Sequence, residues 1–216
     1  MKKGIFIVLE GIDGVGKTTQ LHKLEKTLKN RSFPVHITRE PSSYPIGQWI
    51  RQSIRDSIGQ DTLDWRSMAL LFAADRMQHI QNEILPHLHA GDWVICDRYD
   101  ASNIAYQSAM ASDENKFTDS CLEWIALINH YALRPDITFV FDLDPDLAAQ
   151  RRALRNQSTE LLESISLQKK VREHYQKLHL LRPDDCIVSI DASRSIEEVH
   201  QDILNFITQF EVPNYI

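Results

Sequence analysis

Eight consecutive residues, Gly-Ile-Asp-Gly-Val-Gly-Lys-Thr at 11–18, carry the most specific chemistry in this chain. Glycines in the spacing G-x-x-x-x-G let the backbone bend until successive N–H groups face one anion, and the Lys-Thr pair adds a cation and a hydroxyl. On this pattern Gly11, Ile12, Asp13, Gly14, Val15, Gly16, Thr18 and Thr19 cradle the phosphates of a nucleoside triphosphate. Lys17 would reach the β- and γ-phosphates, and the Thr18 hydroxyl would ligate Mg2+. Such a loop needs a buried strand before it and a helix N-terminus after it. The apolar run Ile5–Leu9 supplies the strand, and Leu21, Leu24 and Leu28 at helical spacing, with Asn30 as a stop, supply the helix.

Three more groups could act on phosphates or on a base. Asp97-Arg98-Tyr99 closes a second apolar run, Trp93–Cys96, where an acid can help to hold Mg2+ and a guanidinium can bind a phosphate bidentately. An Asp–Arg ion pair at a sheet edge is the plainer reading of the same residues. Just downstream, Asn103 and Tyr106 share a helix face, with Ser102 and Gln107 beside them; Asn can bond a base edge and Tyr can pack a ring or sugar. Phe72 and Arg76 lie one helical turn apart, an aromatic ring to stack on a base beside a guanidinium to bond its carbonyl, although core and surface roles would explain each alone. Finally Arg151, Arg152 and Arg155 follow Asp142-Leu143-Asp144-Pro145; a solvated basic helix is one reading, a lid that brings cations to the γ-phosphate the other.

The elements that must position these residues alternate. Strands are expected at about 4–10, 34–39, 92–97, 137–143 and 186–191, and helices at about 17–30, 46–58, 64–89, 102–111, 118–132, 145–156, 160–181 and 195–210. Short apolar strands between helices predict an α/β, three-layer P-loop NTPase fold, with a five-stranded parallel sheet, helices on both faces and a helical lid at about 145–163. Ligands then gather at the strands' carboxyl ends, where Glu10, Thr38-Arg39-Glu40-Pro41 and Asp97-Arg98 stand. At 216 residues, 43% hydrophobic and 25% charged, the chain reads as a single domain, 1–216, without repeats or linkers. A net charge of −6 argues against a nucleic-acid partner. Lys2-Lys3 and the following apolar run are too short for a signal peptide, and no stretch approaches a membrane span. Cys96, Cys121 and Cys186 are widely spaced and read as core thiols in a reducing cytoplasm, and His87-x-His89 reads as a solvated helix end.

Together these segments resemble the thymidylate kinase family: Ile-Val-Leu-Glu-Gly-Ile-Asp-Gly-Val-Gly-Lys-Thr-Thr at 7–19, Thr-Arg-Glu-Pro at 38–41, Leu-Phe-Ala-Ala-Asp-Arg at 71–76, Asp-Arg-Tyr-Asp-Ala-Ser-Asn-Ile-Ala-Tyr-Gln at 97–107, Arg-Pro-Asp at 134–136 and Asp-Ala-Ser-Arg-Ser-Ile-Glu-Glu-Val at 191–199. The resemblance implies transfer of the ATP γ-phosphoryl to dTMP with Mg2+, by a cytoplasmic homodimer that binds neither nucleic acid nor membrane. It implies that Phe72 stacks on thymine, Arg76 bonds O4, Asn103 meets the base edge, Arg98 and Arg39 face the dTMP phosphate, and Tyr106 lies near the sugar. Asp13, Thr18 and Asp97 would serve the metal, with Asp13 near the transferred phosphoryl. Some members carry an arginine inside the P-loop; with Val15 there, Arg151 and Arg155 are expected to bear the transition-state charge, while Arg152 points elsewhere and matters little. Leu161 stands where an arginine is common, and Ser42-Ser43-Tyr44-Pro45 replaces a Gly-Gly loop. A kinase for another monophosphate, or for a deoxynucleoside with Glu10 or Asp97 as base, is the main alternative. A GTP-dependent switch is remote, because Asn115-Lys116 is followed by Phe117-Thr118 before Asp119.

Overall fold

The computed structural model describes residues 4–56, 63–113, 119–154 and 164–211. Five strands, β1 (Phe6–Gly11), β2 (Val35–Arg39), β3 (Trp93–Asp97), β4 (Ile137–Asp142) and β5 (Ile187–Asp191), form one sheet in the order β2-β3-β1-β4-β5. Every pairing is parallel, with Ile7 beside Ile95 on one side and Ile137 on the other. The central strand β1 is buried along its whole length, which is why it reads as an unbroken apolar run. Its alternate side chains part to opposite faces: Ile5, Ile7 and Leu9 join the larger core cluster, and Phe6 and Val8 the smaller one beneath Ile80, Ile84 and Leu88.

The described helices are α1 (Lys17–Asn30), α2 (Pro45–Asp56), α3 (Trp65–His79), α4 (Leu85–Ala90), α5 (Asp100–Asp113), α6 (Asp119–Ile128), α7 (Pro145–Ala153), α8 (Ile165–Gln176), α9 (Leu178–Leu181) and α10 (Ile196–Glu211). The α/β parallel-sheet expectation is met, and the differences have local causes. The single helix expected over 64–89 is α3 and α4 joined by a π turn, Ile80–Ile84. Pro86 has no N–H to give the carbonyl four residues back, and the Tyr44 hydroxyl donates to that carbonyl, Asn82 O, at 3.3 Å. The expected helix over 118–132 stops at Ile128, and that over 160–181 divides into α8 and α9. Of the expected lid, α7 is described, capped by Asp144, whose carboxylate accepts from Asp146 N at 3.0 Å and Leu147 N at 3.4 Å. Residues 155–163, Arg155 and Leu161 among them, lie outside the described residues.

Candidate active site

The glycine-rich loop follows β1 as expected. Gly14 has φ 91°, and a Cβ there would stand 2.5 Å from Ala148 O, so α7 packs directly on the loop. Gly16, at φ 100°, starts α1 without a side-chain cap, leaving the first N–H groups of the helix to face an anion. Lys17 is buried and donates to the carbonyls of Gly11 (2.9 Å) and Ile12 (3.0 Å). Burial, with Arg98 nearby, lowers its pKa to about 8.

Asp13 and Arg98 form the centre of the site. Arg98 Nη2 donates to Asp13 Oδ1 at 2.6 Å and to the Tyr106 hydroxyl at 3.1 Å, and that hydroxyl donates to Asp13 Oδ2 at 3.0 Å. Burial would raise the Asp13 pKa, but Arg98 and then Lys17 outweigh it and bring it to about 2. Arg98 itself has φ 69°, a left-handed backbone that costs on the order of 1–3 kcal/mol for a side-chain-bearing residue. Glu10 holds that turn: its carboxylate accepts from Tyr99 N (2.8 Å), Ser102 N (3.1 Å), Ser102 Oγ (2.6 Å) and the Tyr175 hydroxyl (2.8 Å). Burial raises the Glu10 pKa against these bonds. With 0% exposure and both oxygens engaged, Glu10 is a brace for α5 and does not offer a base to a substrate hydroxyl.

Two cavities meet here, sharing Asp13, Glu40, Pro41, Arg51 and Arg98. The first, about 260 Å³, is walled by Phe72, Pro41 and Ile54 and by Asn103, Tyr106 and Gln107 from one side of α5, with Arg55 also lining it. Asn103 Nδ2 donates to Ala69 O at 3.1 Å. Because a carbonyl can only accept, this bond fixes the amide orientation and leaves Oδ1 without a partner among the described residues; Gln107 Oε1 is likewise unpartnered.

Arg76 corrects an expectation. It is 0% exposed and absent from the cavity lining, donating to Glu40 Oε2 (2.7 Å), Tyr99 O (3.2 Å) and Asn129 Oδ1 behind the wall. It does present one free donor, since its Nε has no partner among the described residues.

The second cavity, about 300 Å³, holds the cations: Lys17, Arg39, Arg51, Arg98 and Arg152, with Gly14, Gly16, Thr18 and Asp97. The basic helix is therefore turned differently from the sequence expectation. Arg151 donates to Ala192 O (2.9 Å) and Ser193 O (3.5 Å) and lines a neighbouring cavity with Val15, Thr19, Leu154 and Arg194. Arg152, expected to point away, is 7% exposed and donates to Asp13 O at 2.6 Å. Arg51 also escaped the sequence reading; it donates to Pro41 O and, at 2.6 Å, to Ser42 O. Its signal was spacing, since Arg51 and Arg55 lie one turn apart on α2. The Ser42 loop is pinned inward, with Ser42 N and Oγ donating to Asp75 at 2.7 and 2.5 Å.

A divalent cation fits the remaining oxygens. Thr18 Oγ1 lies 3.4 Å from Asp97 Oδ2, and Asp97 Oδ1 is buried without a partner among the described residues. Hard oxygen ligands few in number suit Mg2+, which takes its other ligands from phosphates and water. Accordingly, no cluster of three His, Cys, Asp or Glu able to hold a metal by itself occurs among the described residues.

A family model described as Thymidylate kinase matches residues 9–203. A "Probable thymidylate kinase" of Pyrococcus horikoshii is 41% identical over 204 residues, 94% of this chain and 95% of its own. Another from Thermococcus gammatolerans is 38% identical, covering 95% and 97% of the two chains. A "Thymidylate kinase" of Halalkalibacterium halodurans is 37% identical over 216 residues, 97% and 98% of the two.

Proposed function

Since the chain belongs to the thymidylate kinase family and phosphorylates dTMP to dTDP with ATP, we propose that the apolar cavity takes the thymidine end of dTMP and the cationic cavity the phosphates. The observation that carries this division is the locked amide of Asn103, a residue that lines the cavity walled by Phe72 and whose buried Oδ1 has no partner among the described residues. A fixed acceptor suits the N3–H of thymine and opposes cytosine, whose N3 is itself an acceptor. Phe72 stacks on the ring, Pro41 and Ile54 surround its methyl group, and the ring of Tyr106 packs against the sugar.

At the phosphate end, Arg98, Arg51 and Arg39 hold the acceptor phosphate, and the loop amides with Lys17 hold the donor. The chemistry is positioning and charge stabilisation more than proton abstraction. Asp13 keeps Arg98 aimed between the two sites through a charge-assisted bond. Thr18 and Asp97, with Asp13 near, would hold Mg2+, which when bound neutralises the β- and γ-phosphate oxygens. Glu10 is not available as the base of a deoxynucleoside kinase, because Tyr99 N and the Ser102 hydroxyl hold its carboxylate.

The exposed Trp49 on α2 and Leu70 on α3, 55% and 50% accessible, support a homodimer through these helices, in keeping with the family. No described helix is long and apolar enough to cross a membrane, and a cytoplasmic kinase is the reading we adopt. An ADP-release assay over dTMP, dUMP, dCMP, dAMP and thymidine tests the whole: dTMP should give the highest kcat/KM and thymidine none, and a preference for dCMP or thymidine would reject it.

A further inference from the structure

We infer that His79 is a positioning residue for the acceptor phosphate: it holds the Glu40 carboxylate back from the arginines that the phosphate needs. This rests on the reading of the two cavities as the dTMP and ATP sites. Glu40 follows β2 and lines both cavities, in company with Arg51 and Arg98 in each and with Arg39 in the second. Its backbone is fixed, with the N–H donating to Asp97 O at 3.1 Å, so what it presents to the cavities depends on where its side chain is held. A carboxylate among guanidiniums is their natural bidentate partner. Left free, it would occupy these cations as a phosphate does.

Two side chains hold it from behind. Arg76 and His79 lie three residues apart on α3, hence on one face of that helix. Arg76 Nη2 donates to Glu40 Oε2 at 2.7 Å, and His79 Nδ1 lies 3.3 Å from Glu40 Oε1, so each oxygen has its own partner. All three residues are buried. Because a carboxylate oxygen only accepts, Nδ1 carries the hydrogen of its bond. The other ring nitrogen, Nε2, meets Thr38 Oγ1 at 2.7 Å, with Glu83 Oε2 3.7 Å away, and this contact with β2 fixes the plane of the ring. Arg76 balances the charge of Glu40 but bonds one oxygen; His79 is what keeps the other out of the cavities. With both oxygens drawn back, Arg51, Arg98 and Arg39 stay open to the phosphate of dTMP.

The test separates the two ring nitrogens. His79→Asn places an amide near the position of Nδ1, and His79→Gln places one near that of Nε2; both are compared with the wild type in steady-state kinetics, varying dTMP and ATP in turn. His79→Gln should raise the KM for dTMP about tenfold or more, as loss of a hydrogen bond to a charged group does, with kcat and the KM for ATP nearly unchanged, because ground state and transition state lose the same phosphate contacts. His79→Asn, which keeps a donor for Glu40, should stay within about threefold of the wild type. In a Glu40→Gln background there is no charge to hold back, and His79→Gln should then shift the KM for dTMP little. An unchanged KM for dTMP in His79→Gln, equal shifts in the two variants, or a shift that persists with Glu40→Gln overturns the inference. Should His79→Gln fail to fold, the nitrogen NMR shifts of His79 in the wild type decide: a hydrogen on Nδ1 supports it and a bare Nδ1 refutes it. If the wild type itself fails to turn over dTMP, the assignment of the cavities has failed, a result distinct from these.

Discussion

In the base cavity the polar groups are held from behind, while in the phosphate cavity they hold the site's own backbone. Asn103 is locked on Ala69 O with its Oδ1 buried and unpartnered among the described residues, and Arg76 is sunk in the wall against Glu40 and Asn129. Lys17, by contrast, rests on Gly11 O and Ile12 O, Arg152 on Asp13 O and Arg51 on Ser42 O. The first region is organised before its ligand arrives and discriminates by fixed geometry. The second rests Lys17, Arg51 and Arg152 on backbone carbonyls and Arg98 on the Asp13 carboxylate, which keeps buried charges hydrogen-bonded when no nucleotide is bound.

The sharpest way to break this contrast is to remove the cation shared by all phosphates. Lys17→Met should lower kcat by on the order of 10³-fold or more, measured by ADP release, with the far-UV spectrum unchanged; near-normal turnover would end the P-loop assignment. A smaller but still large effect belongs to the wall. Arg76→Ala leaves the buried Glu40 carboxylate with His79 but without its guanidinium, a loss of up to about 3–5 kcal/mol, visible as a lowered midpoint in urea unfolding. Wild-type stability would mean that the Arg76–Glu40 pair is not the prop it is here.

The two regions should also separate by pH. Burial and Arg98 lower the Lys17 pKa from 10.5 to about 8. The unfolded chain then binds more protons between these values, so this group adds stability as pH rises through the window. Activity runs the other way: kcat/KM for ATP should fall as pH rises through about 8, because the amine loses the charge that phosphates require. With nucleotide bound, phosphate charge raises the Lys17 pKa, so kcat should hold to higher pH. Asp13, ionised down to about 2, gives no acid limb near neutrality. A flat kcat/KM for ATP well above pH 8 would show that Lys17 is not depressed.

What the sequence made legible was local. The run of buried residues in β1, the loop 11–18, the strand-end acids and the face shared by Asn103 and Tyr106 follow from period and spacing, and the structure brings the loop, Asp97 and that face together around the two cavities beyond the carboxyl ends of β1 and β3. The orientation of α7 was not legible, because Arg151 and Arg152 differ only in which way a helix of mostly polar residues is rolled on the loop. That roll is set by Ala148 and Gly14 meeting backbone to backbone, a contact between segments far apart in sequence. The burial of Arg76 escaped for the same reason: its partners Glu40, Tyr99 and Asn129 come from three separate connecting segments. The helix expected over 64–89 ran through Pro86, and the carbonyl this proline frees is satisfied by Tyr44, from another part of the chain.

The most direct test of the contrast is the ratio of kcat/KM for dTMP over dCMP in the wild type and in Asn103→Ala. A fixed acceptor in a dry cavity is worth about 1–3 kcal/mol against a base that cannot donate to it. The ratio should therefore fall by roughly 5- to 150-fold in Asn103→Ala, with kcat for dTMP changed much less than its KM. An unchanged ratio in a folded variant would contradict the account, since the locked amide would then read no base.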